Sequence, residues 1–103
     1  HVSDVVVALS KLMRTPEARG QVVNIGSTEE VTIAQLAERV KQVLKSTSPI
    51  QFIPYDKAYV SGFEDMVRRV PCIEKAQRLI GYAPRHTLDD CIRDTAEAIR
   101  REL

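Results

Sequence analysis

The sequence has few of the residues that most readily carry chemistry. Its only two cysteines, Cys72 and Cys91, are too few for a disulfide framework, and neither belongs to a Cys-x-x-Cys pair. They read as small hydrophobes in a reducing cytoplasm. The four glycines, at 20, 26, 62 and 81, are scattered. No Gly-x-Gly-x-x-Gly turn and no P-loop can be built from them. His, Cys, Asp and Glu nowhere cluster at metal-ligand spacing. Ser27 and Thr28 follow Gly26 without a paired base, which argues against a nucleophile. No apolar run approaches the roughly 20 residues of a spanning helix. The opening residues His1 and Asp4 are not those of a signal peptide. Charge of one sign is also lacking. Fifteen Lys and Arg against fourteen Asp and Glu leave a net charge of +1, a poor footprint for nucleic acid or a membrane surface.

What is present is an ordinary globular balance: 44% hydrophobic and 28% charged residues in 103 positions. That length suits one domain, which would bury about two-thirds of the surface its unfolded chain exposes. The start at His1 without methionine leads us to expect a piece of something longer, or a processed chain.

Apolar positions at Val5, Val6, Leu9, Leu12 and Met13 predict a helix over 4–14, with Ser3 or Asp4 as N-cap and Thr15-Pro16 as its stop. Thr32 followed three residues later by Gln35 is a capping-box pattern. It opens a helix carrying Ile33, Leu36, Ala37, Val40, Val43 and Leu44 on one face. A short helix over 73–80 ends at Gly81. Thr87-Leu88-Asp89-Asp90 caps a last one, with Leu88, Cys91, Ile92, Thr95, Ala98 and Ile99 inward. The runs Gln21–Ile25 and Ile50–Ile53 are short and rich in β-branched or aromatic residues, and they read as strands. The expected class is α+β: a small helix-rich unit with two short strands. Two strands make no independent sheet, so the unit should complete another domain.

Between Tyr55 and Pro71 periodicity fails, and a stretch of that kind is usually functional or disordered. It holds Tyr55, Tyr59 and Phe63, which can pack on a sugar or base ring. It also holds Arg68 and Arg69, whose planar forks match phosphate or carboxylate. The competing reading pairs one arginine with Glu64 or Asp65 and leaves both in solvent. Asn24-Ile25-Gly26-Ser27 is a second candidate, where backbone can approach a ligand closely, or else an ordinary turn. His86 reads as a surface or capping residue.

Taken together, these motifs resemble one family. His1-Val2-Ser3-Asp4-Val5-Val6 is similar to the "HVxDV" segment of the extended short-chain dehydrogenase/reductases. Gly20–Ser27 resembles their "GxxxNIGS" strand, and Val31–Ala37 the helix after it. Gly62–Pro71 is similar to a loop of the UDP-glucuronate decarboxylase and UDP-glucose 4-epimerase-like branch. Leu79–Pro84 with Thr87–Asp90 resembles the family's "LGWxP" C-terminus. Cys72 stands where many relatives carry Asp or Ser, and Tyr82 where Trp is usual.

The resemblance implies that residues 1–103 are the C-terminal, substrate-binding domain of an NAD-dependent nucleotide-sugar epimerase/dehydratase. Such a domain packs on its own N-terminal Rossmann domain. A UDP-sugar would lie between the two, and NAD would take a hydride from the sugar to give a keto intermediate. The hydride then returns, or elimination or decarboxylation follows. Arg69 first, Arg68 second and Phe63 as a pocket wall are the residues it points to for substrate binding. No catalytic residue and no NAD or metal ligand is expected in this chain, because the dinucleotide loop and a Tyr-x-x-x-Lys pair are missing. Alone, the chain is expected to be inactive and to self-associate through an exposed apolar face. The alternative is a stand-alone protein-interaction or anion-binding module that uses the Arg68/Arg69 loop.

Overall fold

The structure, a computed structural model, describes residues 1–54, 57 and 68–103. Within them lie four α-helices: α1 (Val2–Met13), α2 (Ile33–Leu44), α3 (Glu74–Ile80) and α4 (Leu88–Glu102). A short 3-10 turn (Pro16–Ala18) follows α1. α1 packs on α3, and α2 packs on α4.

The helix starts follow from their first turns. At α2, the Thr32 hydroxyl accepts the Gln35 N–H at 3.1 Å and the Gln35 side chain accepts the Thr32 N–H at 2.8 Å. Thr87 and Asp90 form the same reciprocal box at α4. At the other ends, Gly81 takes a left-handed φ of +62° after α3, and Lys45 takes +53° after α2. α1 departs from expectation. Its N-cap is His1, whose Nδ1 accepts the Ser3 N–H at 3.1 Å. Ser3 and Asp4 lie inside the helix, and the Asp4 carboxylate serves a different segment.

The α+β expectation is corrected: the described residues are helical and contain no strand. Gln21–Ile25 and Ile50–Ile53 have strand composition, yet neither is assigned to a strand or bridge. An extended run becomes a strand only when its N–H and C=O groups pair with a neighbour, and no such ladder forms here. Val23 and Ile25 instead lay their side chains on the core, while Val22, Phe52 and Ile53 remain exposed.

That core is small: Ala8, Ile73, Ala76 and Tyr82, with Val23, Ile25 and Ile80 against it. The two alanines let α1 and α3 approach closely, but among the described residues no large side chain is fully buried. The radius of gyration is 17.2 Å, against about 13 Å for a compact chain of 100 residues. The inward face expected for α4 is only partly realised. Leu88, Cys91 and Ile92 are half-buried, whereas Thr95, Ala98 and Ile99 are exposed. α1 likewise leaves Val2, Val6, Val7, Leu9 and Met13 in solvent. Among the described residues, no helix is long and apolar enough to cross a membrane.

Candidate functional site

The two candidate segments of the sequence meet. Gly26 lies against Pro71 so closely that a β-carbon on Gly26 would stand 2.8 Å from Pro71 Cγ. Tyr82, nearly buried, donates its hydroxyl to the Gly26 carbonyl at 3.1 Å. The Asn24 side-chain amide reaches the Cys72 carbonyl at 3.5 Å. Burial, and then the nearby Asp4 charge, push the Tyr82 phenol above its usual 10.0, so it stays a neutral donor at physiological pH. The Asn24–Ser27 turn is thereby held against the exit of the arginine loop.

A second tie crosses the same junction. Arg68 grips Glu30 with a two-pronged contact, Nε to Oε1 at 2.6 Å and Nη2 to Oε2 at 2.8 Å. The hydrogen bonds from Arg68 are the main reason the Glu30 carboxyl sits below its usual range. Glu30 in turn raises the Arg68 guanidinium. Both side chains are exposed, so solvent screens the attraction and the pair directs the chain more than it stabilises it. Glu30 also lines an open groove of about 480 Å³ beside α2, with Gln35, Arg39 and Phe52. Arg69, on the surface, is flanked by Arg68 on one side and, two residues on, by Pro71. Phe63, Tyr55, Tyr59, Glu64 and Asp65 lie outside the described residues.

The neighbouring turn is similarly occupied. Ser27 Oγ accepts the Glu29 N–H at 3.0 Å, and Glu29 accepts the first N–H of α4, from Leu88, at 3.2 Å. Ser27 thus has a turn-forming role.

Sequence reasoning missed the polar hub behind the junction. Asp4, 7% exposed, accepts the backbone N–H groups of Arg85 at 3.2 Å and His86 at 3.1 Å. The His86 Nδ1–H bonds its other oxygen at 2.9 Å. Burial pushes the Asp4 carboxyl upward, but these bonds outweigh it and its pKa falls below 3.8. The His1 and His86 rings stack with centroids 4.2 Å apart. His1 Nδ1 accepts the Ser3 N–H, so Nε2 carries the proton and donates it to Asp94 at 3.0 Å. The available signal was a lone acid followed at once by three valines in the first half of α1. Among the described residues, no group of three potential metal ligands is present.

Comparison with known proteins finds relatives along nearly the whole chain. Over 100 residues, 97% of the chain, the sequence is 30% identical to the UDP-N-acetyl-alpha-D-glucosaminuronate decarboxylase of Bacillus cytotoxicus. It is 36% identical over its whole length to UDP-glucuronic acid decarboxylase 1 of Danio rerio. Along nearly its whole length the chain is homologous to UDP-sugar decarboxylases. A third relative is the UDP-D-apiose/UDP-D-xylose synthase of Oryza sativa subsp. japonica, 27% identical over an alignment of 120 residues that takes in the whole chain. The chain spans only 31%, 23% and 30% of these three relatives' own lengths. No family model and no solved structure matches it. The junction of Gly26, Pro71 and Tyr82 is the firmest structural landmark near the arginines.

Proposed function

We propose that the chain is the C-terminal, substrate-binding portion of an NAD-dependent enzyme that decarboxylates a UDP-sugar acid. Arg69 is its principal contact to the nucleotide sugar. The observation that carries this reading is similarity along nearly the whole chain to enzymes whose names specify UDP-sugars, two of them decarboxylases. The anchored arginine loop supports it. A guanidinium beside a domain crevice is well suited to a diphosphate, because water is partly excluded there and both prongs of the fork find an oxygen. Phe63 is proposed as a wall of the same pocket.

NAD would supply the hydride chemistry in the parent protein. The described residues do not suit a dinucleotide. Gly20 and Gly81 each sit singly at turns, and Gly26 is closed off by Pro71. We therefore assign the cofactor to the remainder of the parent, and the chain alone should catalyse nothing. The exposed apolar side of α1 would be covered by that remainder, since the relatives carry more than two-thirds of their length outside the matched segment. The two cysteines, Cys72 and Cys91, form no disulfide with each other, which suits a cytoplasmic setting.

The complete parent protein tests the reading. Incubated with NAD and UDP-glucuronic acid or its N-acetylglucosaminuronic counterpart, it should release carbon dioxide, and Arg69→Ala should lower kcat/KM by at least tenfold. No turnover of either sugar acid, or an unaffected Arg69→Ala variant, would count against it.

A further inference from the structure

Of the two adjacent arginines, Arg68 is held by a carboxylate from another segment. The Arg68 fork is taken up by the Glu30 carboxylate through Nε and Nη2, at 2.6 and 2.8 Å. A phosphate wanting that same edge would have to displace a carboxylate and remain beside its negative charge. This makes Arg68 a poor first contact for a diphosphate. It makes Arg68 a good staple, because a bidentate pair fixes direction even where solvent keeps its strength low.

The position of Glu30 adds to this. It stands two residues before Thr32, the N-cap of α2, and the reciprocal Thr32–Gln35 box fixes the start of that helix. The carboxylate therefore extends from a well-defined helix entrance, as a support for a binding residue should. On the far side of Arg69, Pro71 rests on Gly26, whose carbonyl is held by Tyr82. The chain is thus tied immediately before Arg69 and two residues after it.

We propose that Glu30 is a positioning residue: by clamping Arg68 to the entrance of α2 it sets the backbone from which Arg69 reaches the nucleotide sugar. This rests on the reading of Arg69 as the substrate contact, and it gives Arg68 the part of an anchor. Charge supports it. The bond from Arg68 holds the Glu30 carboxyl below its ordinary value, so the clamp persists at physiological pH.

The test uses the 103-residue chain, 15N-labelled, with UDP-glucuronic acid as the probe. Four forms are compared: wild type, Glu30→Gln, Arg68→Glu, and the exchanged pair Glu30→Arg/Arg68→Glu. Without ligand, Glu30→Gln and Arg68→Glu should lower the backbone order parameter at residue 69 and leave that at Tyr82 unchanged. With ligand, each should weaken binding about threefold, the scale expected for an exposed pair. The exchanged pair should recover both, which a merely structural defect would not do. Unchanged order at residue 69 in Glu30→Gln, or an exchanged pair no better than the single variants, overturns the inference. If the wild type shows no ligand shift, the function reading fails, and the ligand-free relaxation data still decide whether Glu30 anchors the loop.

Discussion

Tyr82 and Gly26 are 56 residues apart in sequence, yet the phenol of one donates to the carbonyl of the other at 3.1 Å. This contact joins the segment after α3 to the turn after the first extended run. A hydrogen bond in such a half-sheltered place contributes about 1 kcal/mol net. Tyr82→Phe should therefore lower unfolding stability in urea by about that amount. It should also change the alkaline limb. The folded-state phenol is raised above 10.0, so its contribution is complete below pH 10 and is lost as pH rises through the folded value. The phenylalanine variant should lack that part of the decline.

Gly26 makes a sharper prediction. A β-carbon there would meet Pro71 Cγ at 2.8 Å, and overpacking of this kind typically costs about 1–3 kcal/mol. Gly26→Ala should be destabilised accordingly. Because the clash needs Pro71, the double variant Gly26→Ala/Pro71→Ala should be less unstable than the two single losses added together. Strict additivity in a denaturant cycle would mean the two residues do not touch.

Much of the helical framework was legible in the sequence. Thr32 with Gln35 and Thr87 with Asp90 are local patterns whose energetics need only a few residues: the first forms the box as read, and the cap read at Thr87 proves to be a second box. The extended runs were not legible as to their fate. Val22, Val23 and Ile25 specify extended backbone, but whether that backbone finds a partner is a tertiary matter. The start of α1 failed for a related reason. Asp4 is a good N-cap residue by propensity, yet two N–H groups more than 80 residues away and the His86 ring compete for its oxygens. At the site, the loss of periodicity drew attention to the segment that holds Arg68 and Arg69, but it could not name Glu30, the partner of Arg68, which is 38 residues upstream.

Asp4 should govern part of the acid behaviour. Its folded pKa is depressed, so its stabilising contribution is present above the unfolded value near 3.8 and fades as pH falls through the folded one. Asp4→Asn should lower Tm at pH 7, and the difference from wild type should shrink as pH falls below 3.8 and through the folded value. The groups facing it are His86, Arg85 and, through the ring stack, His1 with Asp94. An equal Tm deficit at every pH from 2 to 7 would contradict this account.

The apolar side of α1 should make the isolated chain sticky. Val2 is 70% exposed and Met13 88%, with Val6, Val7 and Leu9 between them. An apolar face of this kind favours association. Light scattering should show mass rising with concentration, and Val6→Lys/Leu9→Lys should suppress the rise. A strictly monomeric wild type at millimolar concentration would argue that the face needs no cover.

The most direct measurement is an NMR titration of the 15N-labelled chain with UDP-glucuronic acid, wild type beside Arg69→Ala. The account predicts shifts at Gly26 and across Arg68–Val70 with a Kd of roughly millimolar, equivalent to about 4 kcal/mol. In Arg69→Ala these shifts should vanish or need at least tenfold more ligand. A wild type whose spectrum does not respond, or a variant that binds as well as the wild type, would contradict it.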